Sequence, residues 1–202
     1  MTIATTKRPR GRPREFNHEE ALDKALHVFW ERGYEGASLA ELIDTLGINK
    51  PSLYAAFGNK EELFRKALAR YSHCSVAYVG EAMQAPTARQ TAEAFLIKSA
   101  EFLTDASHPK GCMIVQGALS CSPDATLIHR ELIRHRNGYE NLLQTRFERA
   151  QIEGDLSKEA NATELAKYIA TVHQGMSVQA TSGATKAELM SVVNLTLKNW
   201  PA

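Results

Sequence analysis

The sequence predicts an all-α fold of about nine helices, in which an amino-terminal three-helix unit precedes a larger helical domain. Three observations carry this expectation. Apolar residues recur at helical spacing along the chain, and no segment keeps a clean period of two over many residues. In addition, a capping residue is followed three positions later by Glu or Gln at six places: Asn17/Glu20, Ser38/Glu41, Asn59/Glu62, Thr87/Gln90, Asn161/Glu164 and Thr185/Glu188. At such a pair the cap side chain accepts from a free first-turn amide while the acid or amide reaches back, so each pair marks a helix start.

The first helix is expected from about His18 to Arg32, with Ala21, Leu22, Ala25, Leu26, Phe29 and Trp30 on one face, ending at Gly33. A second, of about two turns, follows Ser38, turns Leu39, Leu42, Ile43 and Leu46 inward and stops at Gly47. The third starts after Asn49 and carries Pro51 in its first turn, where a missing amide costs least, before ending near Phe57. Beyond Gly58-Asn59 a fourth helix carries Leu63, Phe64, Ala67, Leu68 and Tyr71 and is expected to reach Met83. Five more are expected at about 88 to 105, 111 to 120, 124 to 153, 162 to 181 and 186 to 199. Turn signals such as His108-Pro109, Ser122-Pro123, Gly154-Asp155 and Ser182-Gly183 separate them.

The composition, 44% hydrophobic and 23% charged, is that of a globular protein and excludes disorder of the whole. No run of about 18 apolar residues occurs and the amino terminus lacks the apolar core of a secretory signal, so the expected compartment is the cytosol, with no membrane partner. Cys74, Cys112 and Cys121 form an odd set without paired metal-ligand spacing, which argues against a disulfide scaffold or zinc; neither metal nor cofactor is expected. Charge is concentrated at one end. Residues 1 to 14 hold Lys7, Arg8, Arg10, Arg12 and Arg14 and no acid, which leaves 19 of the 24 basic residues against 23 acids in the rest. A basic arm on a mildly acidic body fits a local contact with a polyanion.

Two short helices joined by Gly47-Ile48-Asn49 and supported by a longer preceding helix have the makings of a helix-turn-helix. With Leu53 and Phe57 turned inward, the third helix is left with Lys50, Ser52, Tyr54 and Ala55 to meet another surface. A helix fits the major groove of B-DNA; small Ser52 and Ala55 permit close approach to base edges, while Lys50 and Tyr54 can bond phosphates. Lys60, in the first turn of the next helix, is a further phosphate candidate. Ser38 and Pro51, which open the two short helices, complete the expected DNA-facing set together with Arg10, Arg12 and Arg14.

Over roughly residues 15 to 72 the chain resembles the tetracycline-repressor (TetR) family of bacterial regulators. The resemblance rests on ALHVFWERGYEGASLAELIDTLGINKPSLYAAFGNKEELFRKAL, above all on Leu53-Tyr54-Ala55-Ala56-Phe57 followed by Lys60-Glu61-Glu62-Leu63. It implies phosphate contacts from Tyr54 and Lys60, with Ser52 and its neighbours facing the groove. Pro51 and Ala55-Ala56 depart from the residues common in relatives, so no operator sequence carries over. The resemblance also implies repression of promoters, with release when an effector alters the spacing of the two reading helices through rotation of the fourth helix. The domains expected are an arm (1–14), a DNA-binding domain (15–72) and an effector-binding and dimerisation domain (73–202).

The arm has two readings: alternate arginines entering a neighbouring minor groove, or a solvated tail. A dimer follows from magnitude, because one short helix reads only a few base pairs, and two half-sites about one DNA turn apart gain both affinity and specificity. Relatives pair their last two helices into a four-helix bundle, which here points to Leu165, Ile169, Val172, Met176, Leu189, Val192, Val193 and Leu197. The alternative is that these stripes pack inside one subunit.

Residues 88 to 180 carry no nucleotide, metal or cofactor fingerprint. An effector pocket would draw on Phe102, Cys112, Met113, Gln116, Tyr139, Phe147, His173 and Met176, although core packing accounts for each as well. Cys112, near a helix start with His108 and Lys110 close by, has a second reading as a redox- or electrophile-sensing thiol, against that of an inert buried one. An enzyme is not expected, since no nucleophile elbow, phosphate loop or His-Glu-x-x-His occurs and His129 and His135 lie six apart. The remaining alternative, a helical module whose arm binds nucleic acid or membrane without specificity, explains the charge but leaves Leu53 to Phe57 idle.

Overall fold

In a computed structural model, residues 17–119 and 121–201 are described. Among them the chain forms ten α-helices: α1 (His18–Gly36), α2 (Leu39–Leu46), α3 (Lys50–Phe57), α4 (Lys60–Arg70), α5 (Tyr78–Ala82), α6 (Ala88–Thr104), α7 (Met113–Gln116), α8 (Thr126–Glu153), α9 (Ala162–Thr181) and α10 (Lys186–Lys198). All six capping residues accept the first-turn amides expected of them. Two pairs close reciprocally: Asn59 N donates to Glu62 Oε2 at 2.8 Å and Thr185 N to Glu188 Oε2 at 2.7 Å. Arg10, Arg12 and Arg14 lie outside the described residues.

The first helix does turn at Gly33, whose φ of +70° a side chain would resist, and a short helical extension runs on to Gly36. Two expectations need correction. The fourth helix does not reach Met83: it ends at Arg70, and a π-helical turn over Tyr71–Ser75 leads into the separate α5. The cause is phase. Projected on a regular helix, Phe64, Ala67, Leu68 and Tyr71 share one direction, but Val76, Val79, Ala82 and Met83 would point nearly one residue, about 100°, away. All eight are buried, and the wide turn takes up the surplus residue so that both sets face one core. The helix expected over 111–120 is a single turn, because the Gly117 carbonyl is drawn to α1, accepting from Tyr34 N at 2.8 Å.

α1 packs against α2 and α4, with Phe29, Leu42, Leu53, Leu63 and Phe64 fully enclosed between them and α3. In the larger body α8 lies along α9, and α6 sits against α9 and α10. The two parts meet over a tight seam. Trp30 donates its indole N–H to Gly111 O at 3.1 Å, and Arg65 donates to Glu131 at 2.8 Å. At the same seam the Glu35 carboxylate accepts from Ser122 N at 3.0 Å. No described helix is long and apolar enough to cross a membrane.

Candidate nucleic-acid interface and sensing core

The exposed face of α3 is built by its core. Leu53 and Phe57, four residues apart, are buried against the other helices, which forces Lys50, Ser52, Tyr54 and Ala55 to the outside. Asn49 fixes the entry of the helix, its Oδ1 accepting from Ser52 N at 2.9 Å, and Pro51 occupies the first turn as expected. Tyr54 is 44% exposed, and the Lys50 ammonium stands 5.9 Å from its ring centroid. A phosphate placed there meets a hydroxyl donor and a cation together. The helix KPSLYAAF contains no acid to repel it.

Beside this ridge lies a shallow groove of about 360 Å³, lined by His18, Ile48, Ser52, Ala55 and Ala56. His18 and Ile48 were not legible as site residues: one begins a helix and the other sits in a turn, and only the fold brings them next to Ser52. Ser38 is exposed and spends its hydroxyl on capping α2, accepting from Glu41 N at 3.0 Å. Lys60 is turned back, with its ammonium 4.7 Å from the Tyr34 ring centroid; burial pulls its pKa down, and Glu35 partly offsets this. Tyr34, which nothing in the sequence singled out, therefore holds the lysine expected to meet a phosphate.

In the larger body, a cluster of polar groups sits among aromatic rings. The Tyr71 hydroxyl donates to Cys112 Sγ at 3.2 Å, and the hydroxyls of Tyr78 and Ser99 are 3.3 Å apart. Ser177 Oγ accepts from Cys112 N at 2.9 Å and from Gln116 Nε2 at 3.0 Å. The His173 ring packs against Phe95 and meets Tyr139 edge-on, with centroids 5.1 Å and 6.1 Å away. Phe102 stacks with Trp30 at 5.5 Å. Of the expected effector contacts, Phe102, Cys112, Gln116, Tyr139 and His173 thus belong to one connected neighbourhood. Met113 and Met176 are buried core side chains. Phe147 falls elsewhere: it lies eight residues, about 12 Å along α8, from Tyr139 and packs on Trp200. Tyr71, Tyr78, Ser99 and Ser177 were missed because tyrosine and serine at helical spacing read as core; the need of a buried hydroxyl for a partner was the available signal.

Cys112 is 1% exposed, and burial pushes its thiol pKa up, against the lowering effect of the Tyr71 hydrogen bond and nearby backbone amides. That is the environment of an inert thiol. The last two helices turn most of the expected contact stripe inward. Ile169, Met176, Leu189, Val193 and Leu197 are buried within the single chain, and Leu165 and Val172 are half-buried. These apolar stripes hold α9 and α10 to their own subunit because they face α6 and α8. The outward faces carry the exposed apolar side chains: Tyr168 and Val178 on α9, and on α10 Leu195 together with Val192, the member of the expected stripe that stays exposed.

The family of bacterial regulatory proteins named for tetR matches residues 21–67. The chain is 34% identical over 197 residues to the HTH-type transcriptional repressor ComR of Escherichia coli (strain K12), covering 96% of this chain and 94% of that one. It is 30% identical over 193 residues to the repressor BdcR of the same organism, covering 94% and 91%. Among solved structures, a cysteine mutant of the TetR family transcriptional regulator CifR, complexed with 26-base-pair double-strand operator DNA, is 40% identical with a TM-score of 0.90, over 94% of this chain and 100% of that one. With an exposed α3 carried on a capped three-helix base, the chain belongs to the TetR family of bacterial transcriptional regulators.

Proposed function

We propose that the protein is a ligand-responsive repressor that binds a palindromic operator as a homodimer and leaves it when a small-molecule effector occupies the larger domain. The observation that carries this reading is the exposed α3 face, on which Lys50, Ser52, Tyr54 and Ala55 project from a helix anchored by Leu53 and Phe57. The operator-bound state of CifR supports it. In this reading, residues 15–72 contact DNA, with the arm 1–14 in the neighbouring minor groove, and 73–202 bind the effector and the second copy. The protein acts in the cytoplasm, where promoters are accessible.

α3 lies in the major groove with Ser52 and Ala55 against base edges, while Lys50 and Tyr54 hold phosphates and Lys60 reaches one on leaving the Tyr34 ring. Ser38 and Pro51 set the ends of the two short helices near the backbone. The seam at Trp30, Tyr34 and Tyr71 joins the sensing core directly to α1 and the end of α4. A ligand that favours one arrangement of that seam changes operator affinity by its differential binding to the two states.

Mapping bound DNA across the genome, followed by competition, tests the reading. A palindromic fragment from a bound promoter should outcompete bulk duplex DNA by about 10³-fold or more. Equal competition would reduce the protein to a nonspecific binder. Lys50→Ala should flatten the salt dependence of operator binding by about 0.9 in log–log slope per subunit, since one phosphate is no longer neutralised. Tyr54→Phe should lose about tenfold in affinity with the slope unchanged, because a neutral hydroxyl releases no counterion.

A further inference from the structure

Two polar atoms in the sensing core stand out from their surroundings. The Tyr139 hydroxyl and His173 Nε2 are buried and lack a hydrogen-bond partner, whereas the neighbouring Tyr71, Tyr78, Ser99, Cys112, Gln116 and Ser177 are bonded to one another. Leaving one such group unmet costs about 1–3 kcal/mol, so two adjacent ones on facing helices are a large expense for a fold with no use for them. They sit together: the two rings meet edge-on across α8 and α9, and Phe95 also packs on the imidazole.

We propose that Tyr139 and His173 are the polar anchors of an effector site that takes a small, uncharged, largely aromatic molecule bearing one hydroxyl or carbonyl group. This deepens, and rests on, the reading of the chain as a ligand-released repressor.

The chemistry of the walls sets the class. The Tyr78 ring contacts both Phe95 and Phe102, and Phe95 continues to His173, a surface that receives aromatic edges and faces. Charge is disfavoured in either sign. Among the described residues the buried polar ones, Thr91, Ser99, Arg146, His173, Ser177 and Thr196, include no carboxylate to meet a cation. Burial pulls the His173 pKa down to about 4 and pushes that of Tyr139 up, so both are neutral near pH 7. The field of Arg136 reaches Cys112, but its Nη1 donates to the carbonyl of Ile114 at 2.9 Å. With Nη1 of Arg136 already given to the carbonyls of Ile114 and Val115, an anion beside Tyr139 and His173 would lose its hydration chiefly for neutral donors. A hydroxyl or carbonyl oxygen can accept from Tyr139, and a hydroxyl can also donate to a neutral imidazole nitrogen.

The site is also wired to the DNA-binding part. The Tyr139 hydroxyl feels both Cys112 and Tyr78, and Cys112 accepts from Tyr71, which directly follows α4. One residue before Cys112, Gly111 O holds the Trp30 indole of α1.

Calorimetric titration of the full-length protein with 2-phenylethanol, ethylbenzene and phenylacetate tests the proposal. These probes share a ring and chain and differ in carrying a neutral hydroxyl, no polar group, or a charge. The alcohol should bind at least about tenfold more tightly than either of the others. Tyr139→Phe should cost about tenfold for the alcohol and nothing for ethylbenzene, and should leave the Tm of the unliganded protein unchanged or higher, because the lost hydroxyl has no partner to abandon. Absence of alcohol binding, equal binding of the three probes, or tighter binding of phenylacetate overturns the proposal on the wild-type protein alone. Tyr139→Phe lowering Tm with unchanged alcohol affinity overturns the anchor role. Operator binding is measured on the same preparation: its failure with probe selectivity intact sinks the repressor reading and not the site, and the reverse outcome sinks the site alone.

Discussion

Trp30 shows how much one side chain can join. Its ring stacks on Phe102 and His108, meets Tyr71 edge-on at 4.7 Å, and spends its only donor on Gly111 O, so α1, α6 and the segment before α7 are all held by one residue. His173 has the opposite character, being enclosed on all sides with an unmet nitrogen, and this makes it sensitive to pH. Burial lowers its pKa to about 4 in the folded protein, against the ordinary value of about 6.5 in the unfolded chain. Between those values the unfolded chain holds the extra proton, so the stability that His173 lends is complete above about pH 6.5 and is lost as pH falls toward 4. At about 1.4 kcal/mol per pH unit the whole effect is on the order of 3 kcal/mol. Urea unfolding at pH 7.5 and pH 4.5 should therefore show a smaller acid loss in His173→Gln than in the wild type. Identical losses would mean that the imidazole is not titrating against burial.

Among the elements, α3 is the one whose position matters most, and its intrinsic stability is low. It has only eight residues, far below the length at which an isolated helix persists in water, so its cap and its two core side chains must hold it. Asn49→Ala removes the acceptor for Ser52 N and should cost about 1 kcal/mol in stability, with a fall in operator affinity as the ridge frays. A stability loss with no change in affinity would show that DNA reorders the helix at no cost. The helices of the DNA-binding unit were legible because caps, glycine stops and a 3.6-residue stripe agree at each one, from Asn17 to Gly58. The break after Arg70 was legible in principle, in the phase slip between Tyr71 and Val76, but it cannot be seen by asking only whether residues are apolar. Long-range polar pairings such as Tyr71 with Cys112 or Cys112 with Ser177, 41 and 65 residues apart, have no local signature at all. The same holds for the turn of Lys60 toward Tyr34, which exists only because the end of α1 passes the start of α4.

At the scale of the whole molecule, the proposed homodimer raises the question of what α9 and α10 would present to a second copy. A periodic apolar stripe identifies a buried face without saying whether the cover comes from the same chain or another, and here the stripes through Ile169 and Val193 are covered from within. What remains outside is a second, narrower face: Tyr168, Thr171, Gly175 and Val178 recur at three and four residues on α9, and Val192 and Leu195 lie three apart on α10. Gly175 sits in the middle of this row with open space where a side chain would stand, which lets another helix approach closely. Two copies of such a face, related by a two-fold axis, bury one apolar seam against itself and can reach the roughly 800 Å² per partner of a stable interface. Since two half-sites read together bind far more tightly than one, loss of this contact should appear first as loss of operator binding. Val192→Lys combined with Leu195→Lys should give a monomer in sedimentation equilibrium and weaken operator binding by on the order of a hundredfold, while the circular dichroism stays that of the folded chain because both positions are exposed. A double variant that remains a dimer at micromolar concentration would move the interface off α10 and with it the geometry that sets the spacing of the two α3 helices.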